Sequence, residues 1–101
     1  MSVVKLTKRS EKELESLPIH VQKKFFLWAR HVENSGLTNA QVNPGYHDEP
    51  LSGKLLGLIR SVRLTKGYRL YYRVLKSELE YVIVEGVNNH DYKKIERLFS
   101  R

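Results

Sequence analysis

The sequence predicts an α+β fold: two N-terminal helices packed on an antiparallel sheet, with a short C-terminal helix. Three observations predict it. Apolar residues recur at helical spacing over 14–32, they alternate with polar ones over 58–76, and tight turns separate the alternating runs. The order reads β-α-α-β-β-β-α, and residues 1–101 are expected to form a single domain.

A short β-type run over 3–6 opens the chain. Ser10 and Glu13 fit a capping box, in which the serine hydroxyl caps a helix and the glutamate three residues on reaches back. Leu14 and Leu17 give that helix a small apolar face, and Pro18 ends it or starts the next. Val21, Phe25, Trp28, Ala29 and Val32 then form one apolar stripe, closed by Gly36 as a C-cap. The stretch 36–53 holds Asn39, Asn43, Pro44, Gly45, His47, Asp48, Glu49, Pro50 and Gly53. It reads as a loop with one helical turn near Asn39, and a loop of this length in a small domain is often functional.

Strands are expected over 58–65, 68–76 and 80–87. Tyr68, Leu70, Tyr72 and Val74 point one way, and Arg69, Tyr71 and Arg73 the other. Leu58, Val62 and Leu64 share a face interrupted by Arg60, with Ser61, Arg63 and Thr65 opposite. Lys66-Gly67 reads as a tight hairpin turn, and 76–78 as a second. The continuous apolar run over 81–84 suits a strand covered on both faces. A helix over 93–100 ends the chain, with Ile95, Leu98 and Phe99 inward. One face of the sheet is expected under the helices, and the other is expected to carry Arg and Tyr side chains into the open.

The charge is localised. The chain has 18 Lys+Arg against 11 Asp+Glu, a net +7. From 54 to 77 there are seven basic residues (Lys54, Arg60, Arg63, Lys66, Arg69, Arg73 and Lys76) and no acidic one, so the remainder balances at 11 of each. A positive sheet of this kind suggests a polyanion as target. Cysteine is absent, which excludes disulfides and thiolate chemistry and fits a reducing cytoplasm. No run approaches the length of a membrane span, and the first ten residues lack the apolar stretch of a signal peptide, so a cytoplasmic location is expected.

Residues two apart on a strand face lie about 6.5–7 Å from each other. Arg69, Tyr71 and Arg73 would then present a cation, a flat ring and a cation in line. Guanidinium groups grip phosphate oxygens in bidentate fashion, and tyrosine stacks on unpaired bases; the plainer reading is a solvated face charged for solubility. His90, Asp91 and Tyr92 lie where the last strand meets the last helix, a place where a scaffold presents titratable groups. Asp91 reads as a helix cap or as part of that cluster. His47 lies in the loop and can swing toward the sheet. No Cys/His or paired-carboxylate spacing suggests a metal site, and no Gly-rich phosphate loop is present.

These residues resemble a known family. Leu51-Ser52-Gly53-Lys54, Arg60-Ser61-Val62-Arg63-Leu64, Gly67-Tyr68-Arg69-Leu70-Tyr71-Tyr72-Arg73-Val74 and Asn89-His90-Asp91-Tyr92 are similar to the RelE/ParE superfamily of bacterial toxins, across essentially the whole chain. The resemblance implies the RelE-like fold, with two N-terminal helices on a small curved antiparallel sheet. It also implies a type II toxin neutralised by a cognate acidic antitoxin in a hetero-oligomer. Most RelE-like and HigB-like members are ribosome-dependent mRNA endonucleases, whereas ParE-like members poison DNA gyrase.

Carried over by position, Arg69 matches the strand arginine placed against the scissile phosphate. Lys54 and Arg63 fall near the family's basic residues on the adjoining loop and strand. His90 falls where RelE itself has an arginine, and His-Asp-Tyr resembles the HigB and YafQ branch, as does the loop His47. The expected activity is mRNA cleavage in the ribosomal A site, with no cofactor and no metal. The expected catalytic residues are His90, Arg69, Tyr92, Lys54 and Arg63, with His90 as base or acid. Arg60, Lys66, Tyr71, Arg73, His47 and Asp91 are expected to bind RNA. The alternatives are a ParE-like gyrase inhibitor and a non-catalytic RNA-binding module.

Overall fold

The structure, a computed structural model, describes residues 1–51, 58–77 and 79–89. The expected helix over 93–100, together with Lys54, His90, Asp91 and Tyr92, lies outside the described residues. The elements run β1 (Ser2–Leu6), α1 (Lys8–Glu15), α2 (Ile19–Ser35), α3 (Leu37–Gln41), a 3₁₀ turn (Pro44–Tyr46), β2 (Glu49–Pro50), β3 (Arg60–Thr65), β4 (Tyr68–Lys76) and β5 (Glu80–Asn88). The five strands form one sheet in the order β1-β5-β4-β3-β2.

The sheet is mixed. β5 pairs antiparallel with β4 but parallel with β1, with Val4 beside Val82 and Leu6 beside Val84. β5 is an interior strand with a neighbour on either side; its Val82 and Val84 are fully buried toward the helices, whereas Tyr81 and Ile83 on the other face are only half-buried, so the expected full cover on both faces is not met. Thr65 pairs with Tyr68, so Lys66-Gly67 makes the expected hairpin turn.

One face of the sheet lies under the helices. Val21, Phe25, Trp28 and Val32 form the buried stripe of α2 and pack with Val62, Leu70, Tyr72, Val82, Val84 and Val87. The Trp28 and Tyr72 rings lie 5.7 Å apart between centroids. Gly36 ends α2 at φ 89°, a conformation that side-chain-bearing residues rarely adopt. The helical turn expected near Asn39 is α3.

The cap of α1 differs from the expected one. Thr7 is the N-cap: its Oγ1 accepts from the Ser10 amide at 3.0 Å, and Ser10 Oγ accepts from the Thr7 amide at 2.9 Å. Ser10 is buried, and its hydroxyl donates to the Val84 carbonyl at 2.7 Å. Glu13, expected to close the box, instead accepts from the Val87 amide at 3.2 Å. Both residues tie α1 to β5, a long-range demand that overrides the local motif.

Candidate functional site

The second face of the sheet carries the polar residues of β3, β4 and β5. Cross-strand pairing sets them in rows. Arg63 pairs with Arg69, and Arg69 in turn with Asn88; beside that row lie Glu49, Ser61, Tyr71 and Gly86, each paired to the next. The register of β4 on β5 shifts after Tyr71, which pairs with Gly86 while Tyr72 pairs with Val84. Glu85 is the extra residue of this bulge. Bulges re-aim side chains, and Glu85 meets Arg73 Nε at 2.7 Å.

Arg69 is the centre of the face. It is only 5% exposed, yet its guanidinium is held mainly by neutral groups. Its Nε and Nη2 donate to Ser61 Oγ at 3.2 and 3.0 Å, and Nη2 also donates to the His47 carbonyl at 3.2 Å. Glu49 Oε1 stands off at 3.7 Å from Nη2, beyond a good hydrogen bond, and its side chain is 61% exposed. A preorganised cation with a loosely held carboxylate beside it can meet an incoming anion while that carboxylate turns to other work.

His47 contributes through its backbone. Its φ of 45° and ψ of 47° lie in the left-handed region, uncommon for a residue with a side chain, and this turn aims its carbonyl at Arg69. The ring itself is exposed.

Three expectations need correction. Tyr71 does not lie open: its ring is fully buried on this face and is unavailable for stacking on a base. Arg69, expected in the open beside it, is buried as well, drawn down by its bonds to Ser61 and the His47 carbonyl. Arg60 lies off this face, as the alternation predicts. Its position in the alternation puts it with Val62 and Leu64 on the helix side, where Nε donates to Asp48 Oδ1 at 2.6 Å. The acid-free run is also less bare in space than in sequence. Arg60, Arg69, Arg73 and Lys76 meet Asp48, Glu49, Glu85 and Glu80, at 2.6, 3.7, 2.7 and 3.8 Å. Those carboxylates come from just outside the run. Arg63 and Lys66 are exposed, and neither meets a carboxylate among the described residues.

Asp48 anchors the loop from beneath. Besides Arg60 it accepts from the Tyr72 hydroxyl at 2.6 Å, and Tyr72 Oη accepts from Gln41 Nε2 at 3.0 Å. Burial and the adjacent Asp48 push the Tyr72 hydroxyl well above its usual range. Burial disfavours the charge of Arg60, but Asp48 outweighs it and holds the guanidinium pKa up. Asp48, Glu49, Ser61 and Glu85 are the residues that sequence reasoning missed. The period-2 alternation does place Ser61 beside Arg63, but nothing local links the loop carboxylates to the sheet. Among the described residues no group of three His, Cys, Asp or Glu could hold a metal ion, and no helix is long and apolar enough to cross a membrane.

No protein-family model matches the chain, and no curated protein does. Solved structures match it closely in shape. A YoeB/ParE toxin from Agrobacterium tumefaciens superposes with a TM-score of 0.70 at 23% identity, covering 88% of this chain and 99% of that one. The archaeal RelE-RelB complex from Pyrococcus horikoshii gives 0.67 at 20% identity, over 90% of this chain and 97% of its counterpart. A mutant YafQ from E. coli gives 0.64 at 17% identity, over 99% and 100%. The chain therefore carries the fold of the RelE/ParE-superfamily toxins.

Proposed function

We propose that this chain is the toxin of a type II toxin–antitoxin pair and that it cleaves mRNA on the ribosome. The observation that carries the reading is the pairing of Arg63 with Arg69 on the face turned away from α1 and α2, with Glu49 beside Arg69. Two guanidinium groups on adjacent strands suit a phosphodiester that gains negative charge in its transition state. The reaction is attack of the substrate's 2′-hydroxyl on the adjacent phosphate. The P–O bond to the 5′-oxygen breaks, and a 2′,3′-cyclic phosphate and a 5′-hydroxyl form. The 2′-hydroxyl proton goes to a base and the leaving oxygen takes one from an acid.

Arg69 and Arg63 stabilise the phosphorane charge. Glu49, exposed and only loosely held by Arg69, is placed to accept the proton, and the sequence offers His90 as the acid. Lys54 and Tyr92 orient the phosphate. Lys66 lies at the edge of the same positive surface and holds the RNA backbone. The neighbours support a partner as well: the archaeal structure is a RelE-RelB complex, and the partner proposed here is an acidic antitoxin.

The test is to add purified protein to translating ribosomes and map mRNA 5′-ends. New ends at positions in the A site, lost in Arg69→Ala, are expected. Intact mRNA together with inhibited gyrase supercoiling would replace this reading by the gyrase one.

A further inference from the structure

We propose that Asp48 is a positioning residue, which holds the His47 carbonyl and the Glu49 carboxylate against Arg69 by gripping the opposite side of the sheet. The inference rests on the reading of Arg69 as the phosphate-facing group, but its structural part stands without it.

β2 is too short to dock itself. It has two residues, and the second is Pro50, which has no N–H to give to the ladder. Its register on β3 is two pairs, Glu49 with Ser61 and Pro50 with Arg60, followed by a bond from the Leu51 amide to the Ile59 carbonyl at 3.0 Å. Just before β2 the chain turns through the left-handed His47. Such a segment would fray without a further hold.

Asp48 supplies it. Its side chain is 1% exposed, and its two oxygens take different strands: Oδ1 accepts from Arg60 Nε on β3 and Oδ2 from the Tyr72 hydroxyl on β4, both at 2.6 Å. Arg60 and Tyr72 face each other across the β3–β4 ladder, so one carboxylate clamps a cross-strand pair. Arg60 Nη2 adds a bond to the Asp48 main-chain carbonyl at 3.4 Å. Asp48 thus points to the helix side, while His47 and Glu49, one residue away on either side, meet Arg69 on the other. Loss of the clamp frees both neighbours and removes one of the two neutral acceptors that fix the guanidinium.

The test follows the Arg69 Nη–H signals by NMR in the free protein, since Nη2 is the atom that meets both the His47 carbonyl and Glu49. Exchange with solvent should accelerate by about tenfold or more in Asp48→Asn, as local protection is lost, and by less in Tyr72→Phe, which removes one of the two grips and keeps the packing. Glu85→Gln, which breaks the Arg73 pair on the same face, should leave Arg69 exchange unchanged. Unchanged exchange in a folded Asp48→Asn overturns the proposal. So does equal acceleration in Glu85→Gln, which would mean general loosening of the sheet. Should Asp48→Asn fail to fold, Tyr72→Phe decides by the same criterion. Cleavage separates the two readings: a wild-type protein that cuts no mRNA overturns the proposed function and leaves the Arg69 result standing.

Discussion

Arg63 stands directly opposite Arg69 across the β3–β4 ladder, on the face turned away from α1 and α2. Like charges in this position repel and weaken a sheet. Arg69 is tied down by Ser61 and the His47 carbonyl, with Glu49 standing loosely beside it, whereas Arg63 meets no carboxylate among the described residues. The pair is expected to cost stability that an anion laid between the two strands would recover.

Arg63→Gln should therefore stabilise the folded protein by about 0.2–1 kcal/mol while lowering mRNA cleavage by about 10²-fold. Thermal unfolding and end mapping on the same preparation measure both. A variant that loses stability and activity together would show Arg63 to be a structural residue.

Arg69→Lys keeps the charge and loses the fork that reaches Ser61 and the His47 carbonyl together. Cleavage should drop by about 10²–10³-fold, and stability by about 1–3 kcal/mol as buried acceptors lose their donor. Near-normal activity in this variant would show that a point charge suffices and that the fixed guanidinium is unimportant.

Stability should also fall at alkaline pH, and Tyr72 sets part of the slope. Burial and Asp48 raise its pKa in the fold above the ordinary 10.0. A group with a raised folded pKa contributes its stability fully below its unfolded pKa. That contribution is lost as pH climbs through the folded value. Tyr72→Phe should cost about 1 kcal/mol at neutral pH and flatten the decline above about pH 10. Denaturant titrations from pH 8 to about 11 would show this, and parallel curves for the two proteins would remove Tyr72 as the cause.

His90→Ala should reduce cleavage by about 10²–10⁴-fold with the fold intact, as expected for loss of a general acid. Circular dichroism controls for folding. A folded variant with full activity would move the acid role elsewhere, with Tyr92 next in line.

Local period and turn chemistry alone make much of this fold legible. The stripe Val21, Phe25, Trp28 and Val32 can bury only as a helix, and the alternation of Tyr68, Leu70 and Tyr72 with Arg69, Tyr71 and Arg73 assigns each side chain to a face. Lys66-Gly67 and Gly36 mark their turns by backbone chemistry. Which face a residue occupies is local information, but what covers that face is not, so the alternation sides Tyr71 correctly and says nothing of its burial. The same limit hid the parallel pairing of β1 with β5, since both partners of a ladder need only be apolar and extended. It also hid the carboxylates. Asp48 and Glu49 lie more than ten residues from Arg60 and Arg69 along the chain, and only the closing of β2 on β3 brings them to 2.6 and 3.7 Å. The acid-free run in the sequence is a fact of order along the chain, whereas electrostatic pairing depends on distance through space. Folding therefore sets which of the described basic residues meet a carboxylate.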